Sequence, residues 1–216
     1  MLMPHIGKTE LEESDAEYKK YIVGSCEQKA ASTAISLIIG FPEKSELVKE
    51  MTALAREEMG HFNMVHDKII KRGWVLGRER KDEYVIQLMK FFPKGGSRET
   101  HLVHKLLYAA LIEARSCERF RLLSEEIDDE ELSEFYRNLM VSEANHYTMF
   151  LNFARKYGER EIVEEKWQSL LDYEAKIISN RGSTFGLGGD NHFRFNLATS
   201  TELVKKSTER IKSFFD

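Results

Sequence analysis

Two Glu-x-x-His words stand in the chain, Glu58-Met59-Gly60-His61 and Glu143-Ala144-Asn145-His146. Each follows a lone glutamate at nearly the same distance: Glu27 lies 31 residues before Glu58, and Glu113 lies 30 before Glu143. On a helix, positions i and i+3 share a face, so each word can present a carboxylate oxygen and an imidazole nitrogen to one point. A single word is weak evidence, because 28 glutamates and 7 histidines in 216 residues would produce about one by chance. The doubled word with its matched partner is the spacing of a two-metal carboxylate centre built from four helices.

The competing choices within this pattern resolve on spacing. Glu57 could pair with His61 at i+4, but Ser142 holds the equivalent place in the second word, so the repeat favours Glu58 and Glu143. Glu118 lies about 140° around a helix from Glu113, on a polar side with Arg115 and Arg121. The expected arrangement is one histidine per metal, Glu27 and Glu113 as terminal ligands, and Glu58 and Glu143 bridging. Oxygen and imidazole donors without thiolates suit iron or manganese and argue against a structural zinc site, and iron is preferred. Two divalent cations would balance four carboxylates that otherwise cost several kcal/mol each in a low-dielectric core. The alternative, pairing with Lys29, Arg56 or Arg115, meets the difficulty that these residues lie off the apolar stripes.

The elements that must position these six residues read as helices. Apolar residues at helical spacing run from about Glu10 to Ile39 (Val23, Ala30, Ala31, Ala34, Ile38), with Gly40 as cap. A second run starts near Pro42 and reaches Gly73 through Leu47, Met51, Leu54, Val65 and Ile69. A third spans Arg98 to Glu126, and a fourth, capped by Asp128 or Asp129, ends at Gly158. Glu27, Glu58, Glu113 and Glu143 interrupt these apolar faces. Between the second and third helices, Trp74 to Ser97 predicts a crossover holding one short helix, the connection that ferritin-like bundles use where consecutive helices run parallel. A further helix follows over about Glu161 to Ser179, then a glycine-rich loop and a short capping helix over Thr199 to Phe215. No strand pattern competes. The fold class is all-α, a ferritin-like four-helix bundle over about residues 10–158 with a helical extension over 159–216, in one domain.

Composition sets the outer limits. The start Met1-Leu2-Met3-Pro4 lacks the form of a signal peptide, and no segment approaches the ~20 apolar residues of a membrane helix, which predicts a soluble cytoplasmic protein. Two cysteines, Cys26 and Cys117, cannot make a disulfide framework and read as small core thiols. His5, His66, His101, His104 and His192 obey no ligand spacing and read as surface or loop residues. The net charge of −4 argues against whole-surface nucleic-acid binding. Yet Asp67 to Lys105 carries ten Lys/Arg against five Asp/Glu, which leaves room for a local basic face.

Longer runs surround the ligand words: Cys-Glu-Gln-Lys-Ala-Ala-Ser at 26–32, Arg-Glu-Glu-Met-Gly-His-Phe at 56–62, Ile-Glu-Ala-Arg-Ser-Cys-Glu-Arg-Phe at 112–120, and Phe-Tyr-Arg-Asn-Leu-Met-Val-Ser-Glu-Ala-Asn-His-Tyr at 135–147. Together with the Arg-Gly-x-x-Leu-Gly turn at 72–77, they resemble the tRNA 2-methylthio-N6-isopentenyladenosine hydroxylase family over most of the chain. The resemblance implies a non-haem di-iron monooxygenase that uses dioxygen and an external electron donor to hydroxylate the isopentenyl group of a modified adenosine beside the tRNA anticodon. Its iron ligands would be Glu27, Glu58, His61, Glu113, Glu143 and His146. A tRNA substrate needs phosphate contacts, for which Lys68, Lys71, Arg72, Arg78, Arg80 and Lys81 are the candidates, with Lys90, Lys94 and Arg98 beside them. Where the family pattern reads Arg-Phe-His-Ser-Gly near its end, this chain has Arg194-Phe195-Asn196-Leu197-Ala198, which leaves the methylthio group of the substrate open. The ligands alone are equally compatible with another ferritin-like oxidase or peroxidase, and the helices with a metal-free interaction protein.

Overall fold

The computed structural model describes residues 25–73, 76, 83–181 and 193–195. They fall into two compact units, the first ending before Asp82 and the second running on from it.

In the first unit, α1 (Ser25–Gly40) and α2 (Ser45–Lys71) pack together as a hairpin. Apolar side chains three and four residues apart bury Ala31, Ala34 and Leu37 on α1 and Leu47, Met51, Leu54, Val65 and Ile69 on α2. Each large one contributes about 1.5–3 kcal/mol by leaving water. The part of the expected first helix before Ser25, with Val23, lies outside the described residues. Within α1 the stripe is rotated from its expected phase: Ala30 and Ile38 are half-buried, while Leu37 is fully buried. The segment Ala30–Ile39 is apolar on nearly every side, so its periodicity leaves the phase open, and Ile35 and Ile39 stay exposed.

Pro42 lies in the turn rather than at a helix start. The Phe41 amide donates to the Leu37 carbonyl at 3.0 Å and the Lys44 amide to the Phe41 carbonyl at 3.1 Å, and α2 begins only at Ser45. Gly40 does not adopt positive φ, so the expected glycine cap is not made there, whereas Gly73 does, at φ 70°. Its left-handed backbone lets its amide donate to the Ile70 carbonyl at 2.8 Å and close α2.

The second unit holds α3 (Glu83–Met89), α4 (Arg98–Glu126), α5 (Glu130–Tyr157) and α6 (Arg160–Ile178). Ser97 caps α4 by accepting from the Thr100 amide at 3.1 Å. Of the two aspartates that could cap α5, Asp129 does so, accepting from the Leu132 amide at 3.0 Å. The α4–α5 hairpin is tied further by the Ser133 hydroxyl, which donates to the Ser124 carbonyl at 2.6 Å. After α6 comes an antiparallel ribbon of β1 (Ser179–Arg181) and β2 (Phe193–Phe195), with Ser179 opposite Phe195. No strand is expected from the sequence there; three residues per strand are too few to show an alternating pattern. The expected helix over Thr199 to Phe215 lies outside the described residues.

Gly158, between α5 and α6, is required by space rather than by its backbone, since its φ is −112°. A Cβ there would stand 2.5 Å from Val163 Cγ2, 3.0 Å from Val103 Cγ2 and 3.1 Å from the Ala154 carbonyl oxygen. Gly158→Ala is therefore expected to destabilise the protein by about 1–3 kcal/mol. Urea denaturation would show this as a lower midpoint at unchanged slope, and a midpoint equal to wild type would refute it.

Candidate metal centre

Each unit brings three of the six ligand candidates together. In the first, Glu27 from the start of α1 and Glu58 and His61 from the middle of α2 offer ligand atoms within 4.8 Å of one another. In the second, Glu113 of α4 and Glu143 and His146 of α5 do the same. Two donors on one ion at ~2.1 Å stand up to about 4.2 Å apart, so small side-chain rotations suffice to close either trio on a metal.

Burial separates the candidates from their neighbours. Glu58 is fully buried, whereas the side chain of Glu57 is 48% exposed. His61 Nδ1 lies 3.7 Å from Glu58 Oε2. Glu27, Glu113, Glu143 and His146 are each at most 4% exposed. The Ser142 hydroxyl, at the place equivalent to Glu57, stands 3.4 Å from His146 Nε2. Cys117 is half-buried; burial, and then the charges of Glu143 and Glu118, push its thiol above the ordinary range. It is therefore a protonated thiol beside the second trio rather than a thiolate. The side chain of Cys26 lies outside the described residues.

The donor set fits iron or manganese: hard carboxylates and neutral-capable imidazoles, buried and clustered. Arg115, the nearest arginine to Glu113 in sequence, is committed elsewhere. Its Nε and Nη2 donate to Glu174 at 2.7 and 2.6 Å, and its Nη1 to Glu118 at 2.5 Å.

That network is a part of the molecule the sequence reading misses. Glu174, 1% exposed, accepts from Arg115 and also from the Tyr84 hydroxyl at 2.5 Å. Burial works against the Arg115 charge, but the hydrogen bonds and charge of Glu174 outweigh it and hold the guanidinium above its ordinary value. Burial first, and then the Glu174 carboxylate, push the Tyr84 phenol far above its ordinary value, so it stays a donor. The sequence does carry a signal for it: Glu174 interrupts the apolar stripe of Trp167, Leu170, Leu171 and Ile178, as the four clustered glutamates interrupt theirs.

His104 also departs from expectation. It is buried at 6% exposure rather than a surface residue, with its ring 5.1 Å from Phe92. Burial, with Lys166 and His101 nearby, lowers its pKa and keeps it neutral. Its place between Leu102, Val103, Leu106 and Leu107 on the most apolar part of α4 is the cue. His66 is half-buried and stacked on Phe62 at 5.7 Å.

Of the proposed phosphate contacts, Lys68, Lys71 and Arg72 close α2. Lys71 is exposed, and Arg72 Nη1 donates to the Lys68 carbonyl at 3.4 Å. Arg78, Arg80 and Lys81 lie outside the described residues. Lys90, Lys94 and Arg98 are exposed between α3 and the start of α4. None of the helices described is long and apolar enough to cross a membrane.

Comparison with known proteins then narrows the reading. A curated tRNA 2-(methylsulfanyl)-N(6)-isopentenyladenosine(37) hydroxylase of Pseudomonas putida is 41% identical over 156 residues, covering 72% of this chain and 75% of that protein. The enzyme of the same description from Salmonella typhimurium is 31% identical over 159 residues. That match covers 72% of this chain and 53% of the relative, so the chain spans about half the length of that protein. A solved structure, a protein with aldehyde deformylating oxygenase activity from Synechococcus, superposes with a TM-score of 0.70 at 30% identity, over 80% of this chain and 86% of that one. The fold class is thus all-α and ferritin-like, with the short helix α3 between α2 and α4 and the further helix α6 after α5. The family described as tRNA-(MS[2]IO[6]A)-hydroxylase (MiaE) matches residues 22–188, a span that takes in all six clustered side chains, and this chain belongs to that family.

Proposed function

We propose that the protein adds one oxygen atom from dioxygen to the isopentenyl group of a hypermodified adenosine beside the anticodon of tRNA, using two iron ions. The observation that carries this reading is the pair of buried Glu-Glu-His trios in a chain of this hydroxylase family. In this proposal residues 1–216 belong to one domain. Glu27, Glu58 and His61 would hold one ion, and Glu113, Glu143 and His146 the other. When bound and reduced by an external electron donor, the iron pair would supply the oxygen-activating chemistry. The chain's own residues would hold the ions and balance their charge with four carboxylates. The apolar neighbours of the trios keep water from the oxidant. With a tRNA substrate, the place of work is the cytoplasm.

The test is to incubate reduced, iron-loaded protein with oxygen and tRNA carrying the isopentenyl modification, then digest the RNA and weigh its nucleosides. A gain of one oxygen on that nucleoside is expected, and parallel reactions with and without the methylthio group decide which form is the substrate. No gain with fully metallated protein would sink the assignment.

The phosphate contacts belong to the same proposal: Lys68, Lys71, Arg72, Arg78, Arg80 and Lys81 hold the tRNA backbone. Neutralising Lys68, Lys71 and Arg72 together is expected to reduce the steepness of log affinity against log salt by about 2–3, since each lost phosphate contact removes roughly 0.7–0.9. Unchanged tRNA binding at every salt concentration would remove these residues from the interface.

A further inference from the structure

We infer that Glu174 is a positioning residue for the Glu113 half of the metal centre, acting through Arg115 and Tyr84. The inference rests on the metal reading proposed above.

Arg115 is two residues beyond Glu113, about 200° around α4, so its side chain leaves the helix on the face away from the second trio. That face forms a seam. His104 and Tyr108, about 180° and 220° from Glu113, meet Phe92 at 5.1 and 6.5 Å, and Arg115 meets Glu174 of α6. Tyr84 brings α3 to the same carboxylate, and the Tyr173 hydroxyl donates to the Gln87 carbonyl at 3.2 Å, one turn along.

The centre of α4 is buried on nearly all sides, from Leu102 to Glu113, so the non-directional hydrophobic effect distinguishes its rotations less sharply than it would for a helix with a single apolar stripe. The planar guanidinium gripping Glu174 with two parallel hydrogen bonds is directional. With Glu174 1% exposed and both its oxygens engaged, the clamp specifies one rotation of α4. The same rotation sets where Glu113 points on the opposite face. Helices α3 and α6 thus contribute to the centre without supplying a ligand, in the manner of outer groups that orient metal ligands.

Cobalt(II) titration, followed by visible absorption and by bound metal per chain, separates positioning from mere stability. Wild type is expected to take up two ions. Glu174→Gln, which keeps the shape but removes the charge of the clamp, is expected to bind one ion at wild-type strength and the other at least ~10-fold more weakly, with an altered spectrum. Tyr84→Phe, a milder change that should fold even if Glu174→Gln does not, is expected to show a smaller shift of the same kind. Glu164→Gln, which weakens the half-exposed Arg155–Glu164 pair between α5 and α6, should leave both ions and the spectrum untouched. If the clamp variants melt at lower temperature yet bind two ions with wild-type affinities and spectra, Glu174 is structural only and the inference is overturned. Wild type that takes up no cobalt would instead overturn the metal reading itself, and the clamp's role with it.

Discussion

Glu113→Ala is expected to lose one metal per chain and to lower hydroxylation of isopentenylated tRNA by more than ~10²-fold. Removing an outer group that only orients a ligand typically costs 10–100-fold in metal affinity or activity, and Glu113 is placed closer than that. It lies within 4.8 Å of donor atoms on Glu143 and His146. The substitution also leaves three carboxylates against two divalent ions, so the surplus positive charge in a buried site opposes uptake of the second ion. His146→Ala should fall as far, because it removes the only imidazole of that trio. Glu57→Ala, which alters a half-exposed carboxylate 3.9 Å from His61, should change metal content little. Metal analysis and nucleoside mass measured on the same samples decide the matter. A fully metallated, active Glu113→Ala protein would place the ligands elsewhere.

Chelation of both ions is expected to lower the melting temperature by about 11–22 °C. A metal present at a hundredfold excess over its dissociation constant stabilises the folded state by about 2.7 kcal/mol per site. For a chain of this length each kcal/mol shifts the midpoint by roughly 2–4 °C. The sign follows from burial: Glu27, Glu58, Glu113 and Glu143 are at most 4% exposed, and gathering such groups in two trios is unfavourable until a cation offsets their charge. Refilling with manganese(II), which supplies the charge without catalysis of the same kind, should restore most of the lost temperature. In Glu143→Ala the difference between metal-loaded and metal-free protein should shrink. Identical melting curves with and without metal in wild type would count against a resident ion.

The helices and the six side chains were legible because one periodic signal carries both. A glutamate interrupting an apolar stripe is buried by the same packing that buries its neighbours, so Glu58 is fully enclosed while Glu57, one residue earlier, points outward. The same rule applied to α6 would have found Glu174. No histidine word or matched repeat accompanies Glu174, so spacing alone does not mark it. The phase of α1 was not legible, since a helix with isoleucines and alanines all round has no preferred inward face until a partner selects one.

The sequence by itself determined the family, the order of the described helices, and the burial of Glu27, Glu58, Glu113 and Glu143, because these follow from local spacing and from long specific runs. Only the tertiary structure decided what those buried groups meet. Arg115 turns to Glu174, 59 residues away, Tyr84 reaches the same carboxylate from 90 residues away, and His104 lies neutral against Phe92. Such pairings depend on which helix faces bring long-range partners within hydrogen-bond distance, and periodicity along one helix contains no information about the rotation of another.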